Sequence, residues 1–96
     1  VRLTHELKIW PVHFDAVQNE GKRAEVRKDD RDYQAGDRLV LREWDPANEA
    51  YTGRGLVTRT RHVLRDAPGL APGFVVLSIV DPRPVRAIDS EAFSNG

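Results

Sequence analysis

Gly21-Lys22-Arg23-Ala24-Glu25-Val26-Arg27-Lys28-Asp29-Asp30-Arg31 places ten side chains behind one glycine, and eight of the ten are charged. The two apolar residues, Ala24 and Val26, stand two apart. Two is the side-chain repeat of a β-strand, in which successive residues point to opposite faces. The spacing predicts a strand over 24–28 with Ala24 and Val26 turned to a core. Arg23, Glu25 and Arg27 then share the other face, an acid between two bases. Such a strand suits one wall of a polar pocket, and the remaining chain supplies the other walls.

The rest of the 96 residues fit one small domain. A hydrophobic fraction of 40% allows a core, while 31% charged residues make the surface ionic. Fifteen basic residues balance fifteen acidic ones, so a globally basic nucleic-acid binder is disfavoured and any such binding needs a local patch. The absence of cysteine excludes disulfides, thiol catalysis and cysteine-ligated zinc. His5, His13 and His62 show no metal-ligand spacing, and neither a metal nor a cofactor is expected. No run approaches the roughly 20 apolar residues of a membrane span, and the N-terminus carries no apolar signal core. These features predict a cytoplasmic protein without a membrane partner.

On the N-terminal side of the opening stretch, Leu7 and Ile9 alternate with Glu6 and Lys8, which predicts a strand with Lys8 facing out. Pro11 suits the first turn of a helix, where its missing N–H is no loss. Phe14 and Val17, three apart, predict a short helix to Glu20 that Gly21 stops. At about ten residues it needs packing on the sheet to form. On the C-terminal side, 29–36 read as a polar loop containing Tyr33. A strand over 38–44 follows, with Leu39 and Leu41 on one face. Asp45-Pro46-Ala47-Asn48 form a turn, with Gly53 closing the hairpin loop. A long strand over 55–65 carries Val57, Arg59, Arg61 and Val63 on one parity. Phe74 to Val80, almost wholly apolar, predicts a central buried strand. Residues 1–85 make one domain and 86–96 a polar, mobile tail. Five strands with hairpin-like links and one helix after the first strand predict a mostly β (α+β) fold, a curled, mainly antiparallel sheet or barrel.

Several separated motifs then share one order: His5-Glu6-Leu7-Lys8-Ile9, a short helix, Glu20 to Arg31, Gly36-Asp37, Leu41-Arg42-Glu43-Trp44-Asp45-Pro46, and Tyr51-Thr52-Gly53-Arg54. Together they resemble an uncharacterised ASCH-related family of small bacterial and phage proteins in the PUA-like superfamily of small β-barrels. The resemblance covers about residues 4–80. Set against the ASCH pattern G-x-K-x-x-E-x-R, Lys22 takes the lysine position, Glu25 the acid and Arg27 the arginine. Gly21 falls one place late, because Glu20 holds the glycine slot. The resemblance implies a pocket between helix and barrel that binds RNA or a nucleotide. Some ASCH relatives are amidohydrolases of acetylated cytidine and some are reported to cut RNA. In the amidohydrolases the lysine works with a nearby threonine and a glutamate on the last strand. Here Glu25 stands nearest the threonine position, and Phe74 to Ile79 contains no acid, so that catalytic set is incomplete.

At the pocket, Lys8, Lys22, Glu25, Arg27 and Arg31 are candidate ligand-binding residues. Arginine offers a planar fork of donors to phosphate, and glutamate accepts from an exocyclic amine such as that of cytosine or adenine. The same residues also fit a surface ion-pair cluster. Tyr33 is the aromatic most readily assigned to a ligand. Trp10 and Trp44 better suit core or rim packing. Ser78 is read as a small polar group near the pocket, and His5 as a structural hydrogen-bonding residue. Arg54, Arg59, Arg61 and Arg65 form a stretch without an intervening acid, a candidate phosphate patch, unless Asp29, Asp30 and Asp32 neutralise it. If the protein is an enzyme, Lys22 and Glu25 are its catalytic residues. A nucleotide-binding module, a hydrolase of RNA or acylated nucleosides, and a protein-interaction domain all remain open.

Overall fold

The computed structural model describes residues 2–85, so the expected tail at 86–96 lies outside the described residues. The elements run β1 (Thr4–Ile9), α1 (Pro11–Asn19), β2 (Ala24–Lys28), β3 (Arg38–Asp45), β4 (Ala50–Leu64) and β5 (Phe74–Val85). The five strands form one curled, half-barrel sheet in the order β1-β3-β4-β5-β2. Three of the four pairings are antiparallel, and β1 with β3 is parallel, Thr4 lying opposite Arg38 and Ile9 opposite Glu43. A parallel pair needs a crossover. The chain supplies it by leaving β1 through α1 and returning along β2, so that β3 starts again beside Thr4. No helix among the described residues is long and apolar enough to cross a membrane.

Pro11 opens α1, and the Trp10 carbonyl accepts from the His13 and Phe14 amides at 3.0 and 2.9 Å. At the other end the amides of Glu20 and Lys22 both reach the Ala16 carbonyl at 3.0 Å. Gly21 between them sits at φ 74°, a region that costs a residue with a Cβ. Phe14 and Val17 are buried and hold the helix across the open side of the sheet. There they join Leu7, Ile9, Leu39, Leu41, Leu56, Val75, Leu77 and Ile79 in one core.

Several details depart from the sequence pattern. In β2 the faces are reversed: Glu25 is buried and Val26 is exposed. Pairing with β5 sets this register, because Glu25 lies opposite the inward Leu77 and Val26 opposite Val76. The inward position of this edge strand opens on a cleft where the carboxylate finds partners, so charge is tolerated there. In β4 the register slips between Thr60 and His62. Thr60 is buried before the slip, and Val63, rather than His62, packs on the core after it. A bulge of this kind turns every following side chain to the other face. The turn before β4 is shorter than expected. Asp45 accepts from the Ala47 amide (2.9 Å) and the Asn48 side chain (2.7 Å), and β4 already begins at Ala50. Finally, β5 continues through Pro82 and Pro84 to Val85, beyond the expected end at Val80.

Tyr33 is a larger correction. It is 1% exposed and packs in the core, its ring edge-on to His5 at 4.8 Å. Burial pushes its hydroxyl pKa up, against the pull of Arg31 and Arg27. His5 in turn meets the fully buried Asp37, Nε2 to Oδ2 2.8 Å. Asp37 also accepts from the Leu3 amide at 3.1 Å and the Gln34 amide at 3.0 Å. Burial would raise the Asp37 carboxyl, but the bonds from His5, Leu3 and Gln34 outweigh it and hold the group below the ordinary aspartate value. This buried carboxylate fixes the loop that Tyr33 anchors.

Candidate functional site

The edge strands β1 and β2 share no backbone ladder, and a cleft of about 520 Å³ opens at this seam. Its volume falls in the range of small-molecule sites, ~300–1,000 Å³. Side chains bridge the seam beside it. Arg27 Nη2 donates to the Lys8 carbonyl at 2.5 Å, and Arg31 Nη1 to the Glu6 carbonyl at 2.7 Å. Both carbonyls belong to the free edge of β1, so two guanidinium groups from the β2 side occupy places that a neighbouring strand's amides would fill.

The cleft has one charged and one apolar wall. Lys22, Glu25 and Arg27 come from the turn after α1 and from β2; Ile9 and Trp10 come from the β1–α1 junction, with His13 on the helix beside them. Glu25 is 4% exposed. Lys22 Nζ donates to its Oε1 at 2.6 Å, and Arg27 Nε lies 3.7 Å from its Oε2. That Nε is sealed from solvent and has no hydrogen-bond acceptor, which marks an unmet donor beside the carboxylate. Trp10 is 55% exposed at the opposite rim, although a tryptophan usually buries most of its surface. Lys22, Glu25 and Arg27, predicted together from sequence, are therefore brought together. Trp10, read there as packing, stands instead in the cleft wall. Its position between a strand and a Pro11-led helix was the available signal, since N-cap geometry turns its carbonyl inward and frees the indole.

The other predicted residues separate. Lys8 lines the cleft, but its ammonium is held 3.8 Å from the Trp44 ring centroid. Arg31 does not line the cleft and is committed to the Glu6 carbonyl. Tyr33 is a core residue, as described, and Ser78 alternates with the inward Leu77 and Ile79, on the face away from the cleft. The expected phosphate patch divides in three. Arg54 is taken up by Glu43: Nε to Oε1 2.8 Å and Nη2 to Oε2 2.7 Å, with a further bond to Asp15 at 3.1 Å. Its guanidinium lies 4.4 Å from the Phe14 ring centroid. These bonds pull the buried Glu43 carboxyl below its ordinary value against burial, helped by Thr52, and raise the pKa of Arg54. Arg65 pairs with Asp29 at 3.1 Å. Of these four arginines, Arg59 and Arg61 stay exposed without a carboxylate partner among the described residues.

Comparison with known proteins adds a phage relative. Over 59 residues the chain is 44% identical to an "Uncharacterized 12.9 kDa protein in GpA 3'region" of Escherichia phage P2. The match takes in 62% of this chain and spans about half, 52%, of that protein. The model of the family described as "Domain of unknown function (DUF3850)" matches residues 4–79, from the first residue of β1 into β5 and across every cleft residue named above. The chain belongs to the DUF3850 family.

Proposed function

We propose that the seam cleft binds a nucleotide or an unpaired base of RNA, within a PUA-like, ASCH-type half-barrel working in the cytoplasm. The observation that carries this reading is the facing of an exposed indole, Trp10, and a buried carboxylate, Glu25, across a cleft of nucleoside size. An aromatic face stacks on any base. A carboxylate accepts from an exocyclic amine, and a guanidinium such as that of Arg27 suits a carbonyl or ring nitrogen beside that amine. Apolar walls with a few convergent polar groups are the usual make-up of such sites.

Titration of Trp fluorescence with cytidine, adenosine, uridine, their monophosphates and short single-stranded RNA tests the proposal. The expected result is saturable quenching that Trp10→Ala abolishes and Glu25→Gln weakens most for amine-bearing bases. No saturation at about millimolar ligand, roughly −4 kcal/mol of binding, would refute it.

The Lys22–Glu25 contact favours a second reading, hydrolysis of RNA or of acylated nucleosides. A 2.6 Å ammonium–carboxylate pair can exchange a proton with a bound substrate. Against it, Glu25 is the single carboxylate lining the cleft among the described residues, and its β5 neighbour is Leu77. Product analysis with N4-acetylcytidine and short RNA separates the two readings. Turnover lost in Lys22→Ala supports the hydrolase, and ligand binding without turnover excludes it.

A further inference from the structure

A second concavity, of about 330 Å³, lies on the outer surface of β3, β4 and β5, at the opposite end of β1's parallel pairing from the cleft. Arg38, Arg59 and Arg83 line it, and Asp81 is the one acid there. Arg38 and Arg59 stand directly opposite each other in the β3–β4 ladder. Like charges at opposed positions repel and destabilise a sheet. No carboxylate among the described residues forms an ion pair with any of the three. Arg59 spends one N–H on the Gly36 carbonyl at 3.1 Å, which braces its guanidinium and leaves its other donors available.

The backbone beneath is irregular at the same place. Val57 pairs with Arg83 and Arg59 with Val80, so β5 contributes an extra residue across this step. Asp81 within the bulge holds φ 46°, a left-handed value rarely adopted outside glycine, and Pro82 follows it. Thr58 Oγ1 clamps the bulge by donating to the Val80 carbonyl at 2.6 Å. Bulges re-aim side chains, and strained residues kept in place collect at binding sites. Here a strained bulge and an unrelieved arginine pair meet in one groove.

We propose that this groove binds phosphate groups, with the guanidinium forks of Arg38, Arg59 and Arg83 as donors. Planar forks match phosphate oxygens in pairs of parallel bonds. The anion neutralises the opposed Arg38–Arg59 charges, and Asp81 limits the groove by repelling phosphate from its own side. The site shares no lining residue with the seam cleft, so it holds whether or not the cleft binds a base.

The test is calorimetric titration of the full chain with inorganic pyrophosphate and, separately, with a single-stranded oligonucleotide, at about 50 mM salt, where phosphate binding is strongest. Each is repeated with Arg38→Gln/Arg83→Gln and with Trp10→Ala. The expected result is binding weakened about tenfold or more by the double arginine variant, close to 1.4 kcal/mol, and unchanged for pyrophosphate by Trp10→Ala. If the source of the phosphate is a nucleic-acid strand, the oligonucleotide binds more tightly than pyrophosphate. The slope of its salt dependence then flattens by about 0.7 for each phosphate that the variant no longer neutralises. If the source is a small phosphorylated compound, pyrophosphate binds and the oligonucleotide gains nothing over it. Failure of both probes to bind, or equal binding by wild type and the double arginine variant with both folded by circular dichroism, overturns the proposal.

Discussion

Replacing Arg54 with methionine is expected to destabilise the fold in a way that fades with acid. The variant keeps an unbranched stem near Phe14 and removes both charge-assisted bonds that Arg54 makes to Glu43. Glu43 is 3% exposed, so its carboxylate is left with the Thr52 hydroxyl, at 2.5 Å, as its remaining hydrogen-bond donor. A buried acceptor deprived of partners costs about 1–3 kcal/mol, and more when charged. Breaking a fully buried ion pair costs ~3–5 kcal/mol. Arg54 itself is half exposed, so water reaches the vacated side and the larger figure must be discounted. The expected loss at pH 7 is about 2 kcal/mol, or roughly 8–16 °C in Tm for a domain of this length. The pH dependence follows from the depressed Glu43 carboxyl. A group whose pKa is lower folded than unfolded stabilises above its ordinary value and loses that contribution as pH falls through the folded value. Wild type therefore gives up this stabilisation below about pH 4.3, while the variant has none to lose. Urea unfolding of both proteins from pH 7 to about pH 3.5 should show the gap closing. A gap of less than about 0.5 kcal/mol at pH 7, within the ordinary range for surface changes, or a gap that stays constant with pH, refutes this account of Arg54.

Three further outcomes follow from the same structure. Trp10→Ala should cost no more than about 2 kcal/mol of stability, because more than half of the indole is exposed, and about 1–3 kcal/mol in base binding; thermal melts beside fluorescence-independent calorimetry separate the two. Val63→Asp should destabilise by more than about 2 kcal/mol through an unpaired core charge, whereas His62→Asp should be nearly neutral; equal effects in chemical denaturation would contradict the β4 bulge. Asp37→Asn should lower stability at neutral pH and flatten its decline in acid. The native carboxyl is held below its ordinary value, so its contribution is present above that value and lost as pH falls; an unchanged acid limb in pH-dependent melts would count against it.

The fold was legible wherever sequence period and tertiary burial agree. Leu7 and Ile9, Phe14 and Val17, and Leu39 and Leu41 all face the core as their spacing predicts. It was less legible where partner strands, not the local pattern, decide the faces. Val26 looks like a core residue beside Glu25 and Arg27, but the Glu25–Leu77 register turns it outward. Val63 lies on the parity of the exposed Arg59 and Arg61, and the slip after Thr60 alone brings it inside. Neither signal is local, because a register is a property of two strands. Polar appearance also misleads for Tyr33, set among charged loop residues but buried by the His5–Asp37 anchor formed across 32 positions of chain. At the cleft, the Lys22, Glu25 and Arg27 cluster could be read because three positions of one short strand and its turn are necessarily close. For Trp10 the sequence offered only its place before Pro11, and not its partner across the cleft, since its distance from Glu25 is set by how α1 crosses the sheet.

The seam explains why charge is concentrated in so short a stretch. A five-stranded sheet of this curl ends in two strand edges, and each edge exposes donors and acceptors that invite pairing with another chain. Closing the ladder would satisfy them but would leave no cleft. Bridging the edges with Arg27 and Arg31 satisfies the Glu6 and Lys8 carbonyls at side-chain rather than backbone spacing. A guanidinium group on its stem spans farther than an amide, so the edges stay apart and the space between them becomes the cleft. The inward positions of β2 must then be polar, because they face that space instead of packed side chains. Glu25 is the consequence: a carboxylate at a core-facing position of the strand, paired with Lys22 and Arg27, and facing the cleft across from Trp10. On this reading Arg27 both shields the strand edge and lines the proposed binding cleft, which makes Arg27→Met informative on both counts: it should weaken ligand binding and also promote concentration-dependent self-association, measurable by analytical ultracentrifugation. A variant that binds less but stays monomeric at all concentrations would separate the two roles and remove the structural reason for placing arginine there.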